Sequence, residues 1–503
     1  MSFNKKVLCL GNNTSDSDIR VSELSKNNNT KNFGLIVDTN ITILQPGYYH
    51  TSIYDLEFGK ILELLKSFDQ LVFLNQPKEE WSHPTAFYQT VQLVKQAEQF
   101  IDVLWQNSQF SKDIDFFEDL VKTNKSFCIF PFIELLVQNA HTTVCCRSEK
   151  PITTLDKITN WQTNPDYSEI REKMLSGELL PAHCSTCYKY ESLGMVSARQ
   201  QETVEWANRL NLMSLEDLSK IKNPSYYEVR PSNICNLQCR MCNPSGSNLI
   251  EKEYIEIGFH DANQKFEYAN FNFIKFDNLY KLYVAGGEPT AMPDLYNFLQ
   301  TCIDTNNTDF EFVINTNAVK ISNKLKELFN YFTNLQFIIS IDGFKEINHY
   351  VRWPSTWESI IENTHYLIAH GHKISFNITV SIYTISRLNQ LLTFLDEEFP
   401  KTLIHCSLAE FKDDLLNPMN YVDDKLKDKL IEITKLNCYK NDQLLKSFID
   451  GLISYYTEPK LIDVKKIKDF FEFNDKLDQS RNIQLKDYIP ELEEYRQRCY
   501  TTV

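Results

Sequence analysis

Cys235, Cys239 and Cys242 stand in the run Cys-Asn-Leu-Gln-Cys-Arg-Met-Cys. Thiolates are the ligands of iron–sulfur clusters, and three on one loop can hold three irons of a cubane. The fourth iron then lacks a protein ligand and stays open to chemistry, as open catalytic metal sites differ from closed structural ones. Zinc is the alternative, but it normally recruits a fourth Cys or His nearby, and none follows within the next several residues. A second set lies upstream: Cys128, the adjacent pair Cys145 and Cys146, and Cys184-Ser-Thr-Cys187. A Cys-x-x-Cys turn can bring both side chains to one centre, and Cys128 with one of the adjacent pair would close the site. Cys145 is taken as that ligand, because neighbours in extended backbone point to opposite sides.

Polar residues cluster after the cysteine loop. Gly286-Gly287-Glu288-Pro289 combines two glycines, which let the backbone approach a bound molecule, with a carboxylate suited to an ammonium group. Asn315-Thr316-Asn317 and Ser340-Ile341-Asp342-Gly343 follow, and Asn377, Thr379 and Ser381 alternate along one segment so as to face one way. Each could equally be a satisfied polar residue at a strand end. Arg352 has three readings: a cofactor carboxylate, a substrate anion, or a surface ion pair.

The elements that must position these groups repeat as strand, loop and helix. Strands are expected at Tyr226–Arg230, Lys281–Ala285, Glu311–Asn315, Leu335–Ile341, Ile374–Ser381 and Leu403–Leu408, with helical patterns around Pro244–Tyr254, Pro293–Cys302, Lys324–Phe332, Thr356–His370 and Ser386–Glu398. Six such units imply a parallel sheet, and its C-terminal strand ends are where ligands bind. The cysteine loop and Gly286–Pro289 both fall at such ends. Residues 1–110 read as a small α/β accessory domain, with strands at Val7–Leu10, Leu35–Val37, Leu71–Leu74 and Ile101–Leu104 and helices at Ile53–Phe68 and Ala86–Phe100. Residues 111–222 form a cysteine-rich segment with little strand alternation, 223–410 the core barrel, and 411–503 a charged helical region.

The three-cysteine loop together with Gly286–Pro289 resembles the radical S-adenosylmethionine (radical SAM) enzymes over about Tyr226 to Leu408. The resemblance implies a partial (βα)6 barrel and a [4Fe-4S] cluster whose open iron chelates the amino and carboxylate groups of S-adenosylmethionine. Electron transfer from the cluster would cleave the sulfonium and yield a 5′-deoxyadenosyl radical that abstracts a substrate hydrogen. It further implies cofactor contacts from Met241 (where the family usually has an aromatic residue), Gly286, Gly287, Glu288, Pro289, Asn317, Ser340 facing the ribose, Asp342, Asn377 and Ser381. The upstream cysteines resemble the auxiliary-cluster segment of the twitch and SPASM groups, which implies a second [4Fe-4S] cluster on Cys128, Cys145, Cys184 and Cys187. Ala140 stands where that pattern has glycine, and the segment precedes the barrel instead of following it. The stretch Glu191…Gly194…Ser197…Arg199 resembles twitch-type proteins with this order. An electron donor such as flavodoxin or ferredoxin and a peptide, protein or small-molecule substrate are the partners implied.

Composition narrows the alternatives. With 52 Lys+Arg against 67 Asp+Glu the net charge is −15, which argues against nucleic acid or an anionic membrane as the main partner. No apolar run reaches the roughly 20 residues of a bilayer span, and no secretory signal is visible, so a cytoplasmic protein is expected. In that compartment most of the 13 cysteines are ligands or buried thiols and not disulfides. Cys9, Cys302 and Cys406 read as core residues, and Cys438 and Cys499 have no visible partner. His365, His370 and His372 show no metal-pair spacing. A zinc-stabilised binding protein is the competing reading from another class.

Overall fold

The computed structural model describes residues 116–501 apart from 149, 193–195, 261–266, 410–414, 424 and 458–462, together with four short strands before residue 106. The chain divides into two compact units, Met1–Ile133 with Arg147–Lys150 and Asn160–Lys222, and Glu134–Cys146 with Pro151–Thr159 and Asn223–Val503.

In the first unit, β1 (Lys6–Leu10), β2 (Asn32–Ile36), β3 (Gln70–Phe73) and β4 (Asp102–Trp105) form a parallel sheet in the order β2-β1-β3-β4. They fall on the four expected apolar runs; the helices expected between them, and the side chain of Cys9, lie outside the described residues. The longer helices that follow are α1 (Phe116–Thr123), α2 (Pro165–Ser176), α3 (Pro181–Ser192) and α4 (Ala198–Arg209). Their ends are written in the sequence. Asn164 caps α2 by accepting from the Asp166 and Tyr167 N–H groups, Pro165 occupies the first turn, and Gly177 closes it at φ 82°. Ser197 and Gln200 form a reciprocal capping box at the start of α4.

The second unit is built on one nine-stranded sheet. Its strands are β5 (Glu134–Gln138), β6 (His141–Thr143), β7 (Pro151–Thr154), β8 (Tyr226–Arg230), β10 (Lys281–Val284), β11 (Glu311–Thr316), β12 (Leu335–Ser340), β14 (Lys373–Val380) and β15 (Leu403–Leu408). The order is β15-β14-β12-β11-β10-β8-β5-β6-β7, and every pair from β8 to β15 is parallel. Two short strands, β9 (Gln238–Cys239) and β13 (Arg352–Trp353), pair separately. The crossovers carry α5 (Asn248–Glu256), α6 (Pro293–Asp304), α7 (Asn323–Phe329), α8 (Trp357–Ala369) and α9 (Leu388–Glu398), close to the helical patterns in the sequence. Alternation on the strands sorts the faces: Leu282, Val284, Phe312, Ile314, Phe337 and Ile339 are buried on one side, while Tyr283, Asn315 and Ser340 stand on the other. The architecture is a mixed α/β fold with a parallel half-barrel. After it come α10 (Leu426–Ile433), α11 (Gln443–Tyr455), α12 (Val464–Arg481) and α13 (Pro490–Thr501), as the charged helical patterns there suggest.

One part departs from the sequence reading. The stretch with little alternation contains β5–β7, and β5 pairs in parallel with β8, so residues 134–154 extend the main sheet. The reason is burial: Glu134–Val137 are all buried, and a strand covered on both faces reads as a continuous apolar run. The β5–β6 hairpin turns on Asn139 and Ala140, with φ 49° and 60°. A two-residue turn with positive φ at both positions is the type whose twist suits a hairpin, and glycine is favoured there because a Cβ is strained. The missing glycine at 140 thus leaves the turn in place under strain. Replacing Ala140 with Gly is expected to stabilise the second unit by about 1 kcal/mol, read as a higher urea midpoint at unchanged m-value.

Candidate active site

The cysteine loop leaves β8 and is stitched to the Gly286–Glu288 segment that leaves β10. The Gly287 N–H donates to the Ser232 carbonyl at 3.0 Å and the Glu288 N–H to the Ile234 carbonyl at 2.7 Å. A Cβ on Gly287 would stand 2.1 Å from the Ile234 oxygen, and one on Gly286 (φ +116°) 2.9 Å from the Ser232 oxygen. The glycines therefore permit two backbones to touch just ahead of Cys235. Asn233 and Asn248 tighten the loop further. Asn248 donates its N–H to the Asn233 carbonyl at 2.7 Å, and its side-chain oxygen accepts from the Cys235 N–H at 3.0 Å. Ser247, the cap of α5, donates its hydroxyl to the Leu237 carbonyl at 2.8 Å.

Between Cys239 and Cys242 the loop is anchored by Arg240, whose side chain has no exposed surface. Its guanidinium donates to the Tyr350 carbonyl (2.9 Å), to Asn474 Oδ1 (2.9 Å) and to Asp478 Oδ1, and lies 3.6 Å over the Tyr350 ring. The Tyr350 hydroxyl donates to the same Asn474 and Asp478 oxygens, at 2.9 and 2.8 Å. Asn474 and Asp478 are one turn apart on α12. That helix also holds α5, because Arg481 donates to both oxygens of Glu253, at 2.9 and 2.7 Å. Sequence reading missed the tie between Arg240 and α12; the sole signal was an arginine inside the cysteine run.

A cavity of about 220 Å³ opens under this loop, lined by Cys235, Cys239, Met241, Cys242, Gly286, Gly287, Glu288, Asn317, Ser340 and Asp342 from the expected set. Leu237, Gly246, Ala285, Asn315, Thr316, Arg352 and Thr379 complete it. Pro289, Asn377 and Ser381 are not among the lining residues. Pro289 is buried in the turn after Glu288, and Ser381, past the end of β14, donates its N–H to the Thr384 hydroxyl oxygen at 2.9 Å. Glu288, 1% exposed, is held on both oxygens. Oε1 accepts from the Thr290 N–H (3.1 Å), the Thr290 hydroxyl (2.7 Å) and the Thr316 hydroxyl (2.6 Å), and Oε2 accepts from the Asn317 N–H (2.7 Å). Burial raises its pKa despite these donors. Asp342 accepts from Arg352 on one oxygen and from the Thr379 N–H (2.7 Å) on the other. Arg352 is thus a buried ion pair at the cavity wall, not the surface pair considered from sequence. Ser340 donates to Asn315 Oδ1 at 2.9 Å, and Asn315 donates to the Tyr283 hydroxyl at 3.2 Å.

The thiols of Cys235, Cys239 and Cys242 face the cavity and are otherwise enclosed. Burial pushes up the pKa of all three, Cys242 to about 12, while the Arg352 guanidinium works the other way at Cys239. Enclosed thiols of this kind become thiolates when a cationic metal centre takes them. Among the described residues no group of three or more His, Cys, Asp or Glu is arranged around a single metal ion; in a cubane each thiolate binds a different iron. The donor set and its cavity fit the cluster.

In the first unit Cys184 and Cys187 lie one turn apart on α3, and Cys128 lies in the loop after α1. Burial raises the Cys128 thiol and Cys184, to about 11, and in both cases neighbouring cysteines of this set add to the shift, Cys184 and Cys187 for Cys128 and Cys187 for Cys184. Three expected ligands are therefore neighbours. Cys145, half-buried, and Cys146, exposed, belong to the second unit. The Glu191…Ser197…Arg199 stretch braces this region. Arg199 is buried, pairs with Glu191, and donates to the Phe127 carbonyl at 2.7 Å and the Asn124 carbonyl at 3.1 Å, beside Cys128. Gly194 lies outside the described residues. Elsewhere Cys302 and Cys499 are buried, Cys406 and Cys438 are half-buried, and His365 pairs with Glu398 at 2.7 Å.

Residues 229–395 match the model of the Radical SAM superfamily. The match falls on the parallel half-barrel, from the end of β8 to α9, so those residues form a radical SAM domain. The uncharacterized protein MJ0907 of Methanocaldococcus jannaschii is 29% identical over 222 residues, covering 41% of this chain and 68% of its own. Among solved structures, SuiB of Streptococcus suis bound to its precursor peptide SuiA aligns at 15% identity and a TM-score of 0.30, over 65% of this chain and 64% of that one. The protein anSMEcpe with bound AdoMet aligns at 16% identity and a TM-score of 0.30, over 45% of this chain and 61% of that one. The chain thus spans less than two thirds of either solved protein.

The brace on α12 has a measurable consequence. Asp478→Ala leaves the Arg240 guanidinium buried without its carboxylate, which costs about 3–5 kcal/mol for a broken buried pair. The expected outcome is a lower unfolding midpoint and reduced iron retention after reconstitution, although residue 478 does not line the cavity.

Proposed function

We propose that the protein reductively cleaves S-adenosylmethionine at a [4Fe-4S] cluster held by Cys235, Cys239 and Cys242, and abstracts a hydrogen atom from a peptide, protein or small-molecule substrate. The observation that carries this reading is the meeting of three enclosed thiols, a fixed carboxylate and a fixed guanidinium around one cavity. A cluster held by Cys235, Cys239 and Cys242 would supply the electron for splitting the sulfonium and an open iron for the methionyl group. Arg352, oriented by Asp342, presents a cation for the methionyl carboxylate. Glu288 presents Oε2, which accepts a single donor in this structure and so keeps capacity for an ammonium group. Such a partner would also favour the ionised form that burial opposes. Ser340, Asn315 and Asn317 offer hydroxyl and amide groups to the ribose and adenine side, and Met241 an adaptable apolar contact for the ring. The walls exclude water from a reactive intermediate.

A second, auxiliary cluster on Cys128, Cys184 and Cys187 is part of the proposal. The mutual proximity of the three thiols supports it. An external one-electron donor such as flavodoxin or ferredoxin completes the proposal. No described helix is long and apolar enough to cross a membrane.

Anaerobic reconstitution followed by iron and sulfide analysis tests the reading. Iron, sulfide and dithionite-dependent formation of 5′-deoxyadenosine are expected; zinc in place of iron would overturn it. Cys239→Ala should abolish deoxyadenosine formation, and unchanged turnover would remove the site assignment. Cys184→Ala should lower the iron content while leaving part of the cleavage activity, since that thiol belongs to the other centre.

A further inference from the structure

The first unit holds a second cavity, of about 290 Å³, between α2 and the Leu215–Ile221 stretch. Ser168, Arg171, Glu172 and Leu175 reach it from α2, at the three- and four-residue spacing of one helix face. Trp161, Leu215 and Leu218 give it apolar walls, and Leu175 and Leu215 remain 43% and 37% exposed at its edge. Its polar feature is Arg171. The guanidinium donates to three carbonyls, those of Pro131 (2.8 Å), Gln162 (2.6 Å) and Trp161 (3.4 Å), and to no carboxylate among the described residues. It is stacked 4.4 Å from the Trp161 ring centroid and 5.4 Å from that of Tyr167, so its plane is fixed. Of five guanidinium N–H groups, two remain. Glu172 also lines the cavity, but it is exposed and forms no ion pair with Arg171.

We propose that this groove binds the free C-terminal carboxylate of a peptide chain ending in apolar residues. A fixed cation with no counter-ion, set among leucines and a tryptophan, is complementary to one carboxylate carried on an apolar body. The volume lies at the lower end of small-ligand pockets, enough for one or two large side chains. Burial lowers the Arg171 pKa to about 10, so the group stays cationic at neutral pH and lacks a partner for its charge. The inference is independent of the cluster chemistry proposed above.

Titration calorimetry of the full chain with N-acetyl-leucyl-leucine, its C-terminal amide and octanoate tests it. Saturable binding of the peptide acid at one site is expected, with the amide at least about tenfold weaker through loss of a charge-assisted bond. No binding of the acid, or equal binding of acid and amide, overturns the proposal. Octanoate binding as tightly as the peptide acid overturns the assignment to a peptide terminus. Arg171→Gln should weaken the acid to the level of the amide. Because Arg171 also holds three carbonyls, Ser168→Trp is the companion variant: it fills the groove and leaves those contacts in place. Loss of binding there supports the site, and undiminished binding overturns it.

Discussion

A guanidinium shut away from water two positions before the last cysteine of the loop is the constraint on which the second unit is organised. Arg240 cannot be withdrawn to solvent, and an isolated buried cation is too costly to keep. Its acceptors, Tyr350, Asn474 and Asp478, must therefore be delivered by folding. They come from the segment after β12 and from α12, so the loop reaches its shape when the barrel and the C-terminal helices are both assembled. The opposite side of the loop is set by a different force, the contact of two backbones that Gly286 and Gly287 permit. Held from both sides, three thiols face one cavity with little freedom, and preorganisation of this kind is what a fixed ligand set needs.

Charge inside the cavity is arranged as fixed pairs. Asp342 orients Arg352, and the threonines and the Asn317 N–H orient Glu288. Both groups are thereby fixed in orientation at the cavity wall. The helix-side face of the sheet is aliphatic and aromatic while the cavity side is polar, a division made by strand alternation alone. Such a barrel interior is a binding surface and not a packed core.

Much of this was legible in the sequence. The strands from Tyr226 to Leu408 and the helices between them follow from apolar periodicity and turn residues, and the cysteine loop and Gly286–Glu288 fall where βα ends converge. Ten of the expected residues line the cavity. What escaped has physical causes. Asp478 and Asn474 sit on a helix dense in charge, which reads as a solvated face until its partner 238 residues earlier is known. Asn377, Thr379 and Ser381 were grouped by alternation, and of the three Thr379 lines the cavity. The hairpin of residues 134–143 was hidden because a strand covered on both sides loses its period-two signal, and because Ala140 stands where glycine marks the turn.

That hairpin bears on how the chain can be divided. The path leaves the first unit at 134, returns at 147, leaves again at 151 and comes back at 160 before the main sheet resumes at 223. A fragment starting at the first residue of the half-barrel would lack β5, and the ladder of β8 would lie bare. An open parallel edge of apolar residues is a template for pairing with another chain. A fragment built on the half-barrel would therefore have to carry its upstream selvedge.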